Sequence, residues 1–208
     1  MLRDVSLEAP AGAVTAVVGP AGSGKTSLLH LLAGLDRPAA GTVTLDGRPL
    51  RGLDDLELTR LRRDRIGLLL PAASVLPTIT VRENIALPLL IARRAPEPEA
   101  IDALLERVGL ADHCDDRPGQ LTAAERQRAA LARALVGGPS VLLADEPAGD
   151  LEPEEGAHLL MLLQQVAHED GIAVVLFTRD IDDAAGVADQ IVELESGRVV
   201  APAARLAA

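Results

Sequence analysis

Residues Gly19-Pro20-Ala21-Gly22-Ser23-Gly24-Lys25-Thr26 fit the pattern G-x-x-x-x-G-K-S/T. Lys25 is the only lysine in the chain, and every other basic side chain among the 20 is arginine. A compact ammonium is kept where a closed loop needs a point charge, and a planar, forked guanidinium is a poor substitute there. Ala13-Val14-Thr15-Ala16-Val17-Val18 reads as a buried strand, and Thr26 to Leu35 carries apolar residues at helical spacing. Strand, glycine-rich loop and helix in this order form a phosphate-binding loop. Its backbone N–H groups face phosphate oxygens and the helix N-terminus adds its dipole. The nucleotide-binding residues are therefore Gly19, Pro20, Ala21, Gly22, Ser23, Gly24, Lys25, Thr26 and Ser27. Lys25 can reach the β- and γ-phosphates, and the Thr26 hydroxyl can ligate Mg²⁺.

A chain of 208 residues suits one domain, or one domain with a small subdomain. Its core is aliphatic, with Phe177 as the single aromatic, so no aromatic platform for a base is present. The formal net charge of −11 argues against nucleic acid as the partner, because neutralising phosphates takes clustered positive charge. Arg60, Arg62, Arg63 and Arg65 read as a solvated helix face. Cys114 stands alone, which excludes a disulfide framework and fits a reducing compartment. No signal peptide is expected, and no apolar run approaches the ~20 residues that span a membrane. Pro88 interrupts the most apolar stretch, Ile85 to Ile91. A soluble protein is expected, able to dock on an embedded one.

Along the chain, Leu2 to Leu7 is expected to form a short edge strand. Gly41 to Leu45 enters a hairpin turn at Asp46-Gly47. A polar helix (Leu56 to Arg65) and a short apolar strand (Ile66 to Leu70) follow. Pro71 to Thr80 is a loop, and the chain then reads helical to about Gly109. Thr122-Ala123-Ala124-Glu125 is a capping box opening a helix to Leu135. Val141 to Ala144 is a buried strand, Glu154 to Ala167 a helix, and Ala173 to Phe177 another buried strand. Ile191 to Leu194 and Val199-Val200 form a final hairpin, and Ala201 to Ala208 is expected to fray. Strands alternating with helices imply an α/β fold with a mainly parallel sheet. Residues 71–137 read as a helical subdomain inserted into it.

Val141-Leu142-Leu143-Ala144 delivers Asp145 and Glu146 at its C-terminal end, where ligands bind in open α/β sheets. Asp145 can hold Mg²⁺ through water, and Glu146 can act as general base on an attacking water. Arg117-Pro118 to Leu121, Gln127 to Leu135 and Pro139 to Leu151 complete a longer pattern. With these pieces in order, the chain resembles the ATP-binding subunits of ABC transporters over nearly its whole length. Leu76 to Asn84 is similar to the branch serving lipoprotein-release and macrolide-export type permeases. The resemblance implies a single domain over 1–208 with the P-loop NTPase fold, an antiparallel β subdomain and the helical insert. It implies ATP and Mg²⁺ as ligands and Glu146 as catalytic residue. It also implies a head-to-tail homodimer or heterodimer, a membrane permease subunit as partner, and a cytoplasmic location on the inner face of the membrane.

The chain departs from that family at several positions. The signature Leu-Ser-Gly-Gly-Gln reads Leu121-Thr122-Ala123-Ala124-Glu125 here, which puts two Cβ atoms where the partner's phosphate approaches. Glu125 has two open placements: in its helix cap, or aimed at that phosphate. In the second, unit charges about 6 Å apart at an effective dielectric of about 20 repel by roughly 3 kcal/mol. Pro71 replaces the metal-side glutamine and offers neither amide nor N–H. Arg179 replaces the switch histidine; it can bind phosphate as a cation or pair with Asp180 or another acid, and it cannot shuttle a proton. In the dimer loop, Gly149-Asp150-Leu151-Glu152, Glu152 stands for the usual Asp. The family's opening strand, with an aromatic residue that stacks on adenine, precedes the first residue here. Either that contact is absent or the start is assigned too far downstream. Weak hydrolysis is expected. A regulatory or structural pseudo-ATPase is the alternative, and an unrelated P-loop kinase leaves the helical insert unexplained.

Overall fold

The structure is a computed structural model that describes residues 2–71 and 75–205. The elements run β1 (Val14–Val18), α1 (Lys25–Leu32), β2 (Thr44–Leu45), β3 (Arg48–Pro49), α2 (Asp55–Arg65) and β4 (Ile66–Leu69). Helices α3 (Val81–Ile91), α4 (Pro98–Arg107) and α5 (Ala123–Leu135) follow. The chain closes with β5 (Val141–Asp145), α6 (Pro153–Asp170), β6 (Ala173–Thr178), α7 (Ile181–Val187), β7 (Gln190–Glu195) and β8 (Arg198–Arg205).

The main sheet has the order β4-β5-β6-β1-β7-β8. Its first five strands are parallel, and β8 pairs antiparallel with β7. Strands β1, β4, β5 and β6 are apolar nearly throughout because helices cover both faces. On β5, Leu142 and Ala144 point into one apolar cluster while Val141 and Leu143 point into the other. On β6, Val174 and Leu176 take the first side and Val175 and Phe177 the second. This is the two-residue period of a strand read out as two half-cores. Leu28, Leu29 and Ala33 of the α1 region close the second half-core, and Leu159, Leu163 and Val166 of α6 close the first. The small hairpin β2-β3 turns at Asp46 (φ 50°) and Gly47 (φ 75°), two left-handed residues that match the twist of flanking strands.

The insert between β4 and β5 is helical, as its sequence implies. Each of α2, α3 and α5 opens with a reciprocal capping box, Asp54/Glu57, Thr80/Glu83 and Thr122/Glu125. Buried Asn84 fastens the approach to α3: its Nδ2 donates to the carbonyls of Leu76 (3.0 Å) and Thr80 (2.9 Å), and its Oδ1 accepts from Leu76 N–H (2.7 Å). Pro88 lies inside α3 without ending it.

Two expectations change. Residues 2–7 form no strand; Arg3 N–H donates to Gly197 O (2.7 Å), while Leu2, Val5 and Leu7 pack on the second half-core. Side-chain burial holds this segment where ladder pairing was expected. The tail does not fray at Ala201, since β8 continues to Arg205 by pairing with β7 back to Gln190. Residues 206–208, and Ala72 to Ser74 of the expected loop, lie outside the described residues.

Gly67 in β4 lies close against α5 of the insert. A Cβ there would lie 2.8 Å from Ala134 O and 3.0 Å from a Leu142 methyl. Neither backbone nor neighbour has room to yield, so Gly67→Ala should destabilise the fold by about 1–3 kcal/mol, read as a lower urea midpoint with unchanged slope.

Candidate nucleotide site at the carboxyl edge of the sheet

Strands β1, β6 and β5 lie side by side, and their C-terminal ends deliver the loop 19–24, Arg179 and the Asp145-Glu146 pair to one rim. This is the edge where open parallel sheets bind ligands. Gly19 N–H continues the ladder by donating to Thr178 O (3.2 Å). A Cβ on Gly19 would stand 2.2 Å from Leu194 O and 2.7 Å from Ser23 Oγ, so only glycine fits. Gly22 (φ 80°) and Gly24 (φ 111°) adopt left-handed conformations that tighten the loop. Ser23 is pinned on both sides: its N–H donates to Pro20 O (3.2 Å) and its carbonyl accepts from Gly197 N–H (2.8 Å).

The loop passes into α1 through Gly24, which has no side chain to cap the helix. Lys25, the first helical residue, is 6% exposed. Its ammonium donates to Gly19 O (2.6 Å) and Pro20 O (3.2 Å) and stands 3.6 Å from Glu146 Oε1. Ser23 Oγ is buried and has no hydrogen-bond partner. Pro20, Ala21, Gly22, Thr26 and Ser27 are exposed around the rim.

Asp145 ends β5 half-buried. Burial first, and then the Glu146 carboxylate, push its carboxyl above the ordinary aspartate value, against a smaller opposing effect of Lys25. Glu146 follows with φ 42°, a left-handed backbone unusual for a non-glycine residue, fixed by its N–H donating to Phe177 O (2.8 Å). Its Oε2 accepts from Arg179 Nε (2.6 Å) and also meets an Arg179 terminal nitrogen, while Oε1 faces Lys25. Arg179 therefore pairs with an acid, but that acid is Glu146. Asp180 instead caps α7, accepting from Asp182 N–H (2.8 Å).

The altered signature segment sits at the start of α5. Glu125 stays in its cap, with Oε2 accepting from Thr122 N–H (2.7 Å), and that bond holds its carboxyl below the ordinary glutamate value. Its other oxygen lies 3.5 Å from His113 Nε2, while His113 Nδ1 contacts Asp116 Oδ2 at 2.8 Å. The Asp116 contact, more than any other, raises the His113 pKa. This triad was not anticipated; the spacing His113-x-x-Asp116 is its only local trace. Ala124 is 4% exposed, so its Cβ turns into the chain's own core, and only Ala123 of the two alanines projects outward. Buried Gln127 extends its Nε2 to Leu70 O (3.4 Å), beside the proline that replaces the family's glutamine.

Among the described residues no cluster of three or more His, Cys, Asp or Glu is arranged to hold a metal. Thr26 and Asp145, the two residues expected to hold a metal, offer one exposed hydroxyl and one half-buried carboxylate. That suits Mg²⁺, which commonly keeps several waters and takes one or two protein oxygens plus substrate phosphates.

Known proteins share this arrangement. A family model described as ABC transporter matches residues 2–149. The lipoprotein-releasing system ATP-binding protein LolD of Myxococcus xanthus is 44% identical over 182 residues, covering 86% of this chain and 81% of that protein. The macrolide export ATP-binding/permease protein MacB of Bordetella avium is 39% identical over 99% of this chain, which spans 31% of that longer protein. A solved dimeric ATP-binding cassette in a post-hydrolysis state, bound to ADP and Pi, superposes with a TM-score of 0.87 at 34% identity, covering 100% of this chain and 91% of that one. With its phosphate loop, its paired carboxylates and its helical insert in the P-loop NTPase arrangement, this chain belongs to the ABC transporter family, among the ATP-binding subunits.

Proposed function

We propose that the subunit binds Mg-ATP at Gly19 to Ser27 and hydrolyses it slowly, coupling the cycle to a separate membrane permease at the cytoplasmic face of the membrane. The buried ammonium of Lys25 carries this reading. Backbone carbonyls and one carboxylate 3.6 Å away are its partners, and the several charged oxygens of a phosphate would bind it more strongly. Two further features fit the same ligand. The uncapped start of α1 leaves N–H groups for an anion. A phosphate oxygen would also satisfy the orphaned Ser23 hydroxyl.

The Thr26 hydroxyl and, through water, Asp145 would hold Mg²⁺, which would supply positive charge against the β- and γ-phosphates. A cation there would also relieve the strain of charge at half-buried Asp145. Glu146 accepts the proton of the attacking water. Pro71 contributes no amide to this arrangement, and Arg179 ties up Glu146, which together make turnover slow. The relatives named for lipoprotein release and macrolide export favour a permease of that type as partner. The dimeric solved cassette favours a pair of subunits, and head-to-tail packing would set Thr122, Ala123 and Glu125 of one against the phosphate loop of the other.

Calorimetry with Mg-ATP should show Lys25→Ala binding at least tenfold more weakly than wild type; equal affinities would remove the site from this loop. Turnover of the purified chain should lie well below the ~1–100 s⁻¹ common among kinases. Glu146→Gln should lower the remainder by a further ~10²-fold or more; a phosphate-release assay reads both. In a Glu146→Gln background, Ala123→Gly should increase ATP-dependent dimer by light scattering and Ala124→Gly should not, because only Ala123 projects from the surface.

A further inference from the structure

His113 joins two acids that belong to different parts of the insert. Asp116 is fixed in place: its N–H donates to His113 O (3.1 Å), its carbonyl accepts from Val81 N–H (2.9 Å) and its Oδ1 accepts from Gln120 Nε2 (3.2 Å). Its Oδ2 meets His113 Nδ1 at 2.8 Å. An ionised carboxylate only accepts, so Nδ1 carries a proton whether the ring is neutral or charged. The proton that comes and goes is therefore the one on Nε2, and Nε2 faces Glu125 Oε1 at 3.5 Å. A neutral ring turns a lone pair toward that oxygen, and a charged ring turns a donor. The other Glu125 oxygen is already committed to Thr122 N–H. Acids dominate the surroundings. The Asp116 hydrogen bond first, against a smaller effect of desolvation, and then the charges of Glu125 and Asp112 raise the His113 pKa above the ordinary histidine value. Of the nearby cations, Arg128 acts on Glu125 from α5, and Arg82 of α3, whose N–H donates to Cys114 O (3.0 Å), is paired with Asp102 at 2.6 Å.

We propose that His113 is a positioning residue for nucleotide held between two subunits: its imidazolium keeps the Glu125 carboxylate in the α5 cap and offsets its charge, so that the segment Thr122 to Glu125 admits the other subunit's nucleotide phosphate while the ring carries both protons. This rests on the head-to-tail pair of the proposed function, which sets that segment against a phosphate loop. Loss of the Nε2 proton leaves the Glu125 and Asp116 carboxylates without a counter-charge between them and puts a lone pair against Glu125 Oε1. A polyanion arriving there then meets bare negative charge. The ring titrates on the alkaline side of an ordinary histidine, so closure of the pair is favoured below that point and weakens as the pH rises through it. His113 acts on the nucleotide only through Glu125.

The test measures ATP-dependent dimer by light scattering from about pH 6 to about pH 8.5, in a Glu146→Gln background, with and without His113→Gln or Glu125→Gln. Glutamine at 125 can still accept from Thr122 N–H, so the cap survives, and thermal melting checks both variants. With His113 present, the dimer should weaken about fivefold across this range, the scale of one half-exposed charge pair. With His113→Gln it should stay near the weaker, high-pH value throughout, because dividing the two profiles cancels the titration of ATP itself. Glu125→Gln should flatten the profile as well. Proton NMR of the ring, assigned by loss of its signal in His113→Gln, should show the titration point falling by about half a pH unit or more in Glu125→Gln. Parallel dimer profiles with and without His113, or a ring titration untouched by Glu125→Gln, would overturn this role and leave the pair of subunits standing. Absence of ATP-dependent dimer at every pH, with Lys25-dependent ATP binding intact, would overturn the head-to-tail pair and this role with it.

Discussion

A buried ammonium is costly unless it is compensated, and the Lys25 charge is compensated locally by two loop carbonyls and one carboxylate. Much of the site depends on that requirement. The loop must fold back on itself to bring Gly19 O and Pro20 O to the ammonium, which demands left-handed glycines at 22 and 24. It must also pass so close to β7 that Gly19 has no space for a side chain. The same contacts are what a phosphate would displace. These interactions hold the loop in shape.

The acidic side of the rim is organised by competition. Asp145 and Glu146 are adjacent like charges on a half-buried strand end, and their mutual repulsion adds to the burial that raises Asp145. Lys25 and Arg179 divide the compensation of Glu146 between a buried and an exposed partner. The buried one is tied to the loop, and the exposed one lies at the rim. Arginine at position 179 is a permanent cation with no proton to exchange, and it pairs directly with Glu146.

The parallel sheet and the phosphate loop were legible in the sequence because both rest on short-range patterns. Apolar runs at Val14 to Val18, Val141 to Ala144 and Ala173 to Phe177 are buried on both faces, as uninterrupted hydrophobicity implies. The capping box at Thr122 was readable from spacing alone and also settles where Glu125 points. Leu2 to Leu7 misled because an apolar segment packs on a core whether or not it joins a ladder. The end of β8 was misjudged because its residues carry little strand signal of their own and are held by pairing with β7.

What the sequence determined by itself was the chemistry available: one lysine in a glycine loop, two carboxylates at a strand end, an arginine beyond another strand. Tertiary structure decided the partners. Arg179 and Glu146 are 33 residues apart and meet because β5 and β6 are neighbours in the sheet, a fact of strand order that no local pattern encodes. His113 reaches Glu125 across the turn before α5, and Ala124 rather than Ala123 is buried because of how that helix rolls onto the core. Backbone propensity and side-chain periodicity act over a few residues. Pairing of charges acts through space and waits on the topology that brings them together.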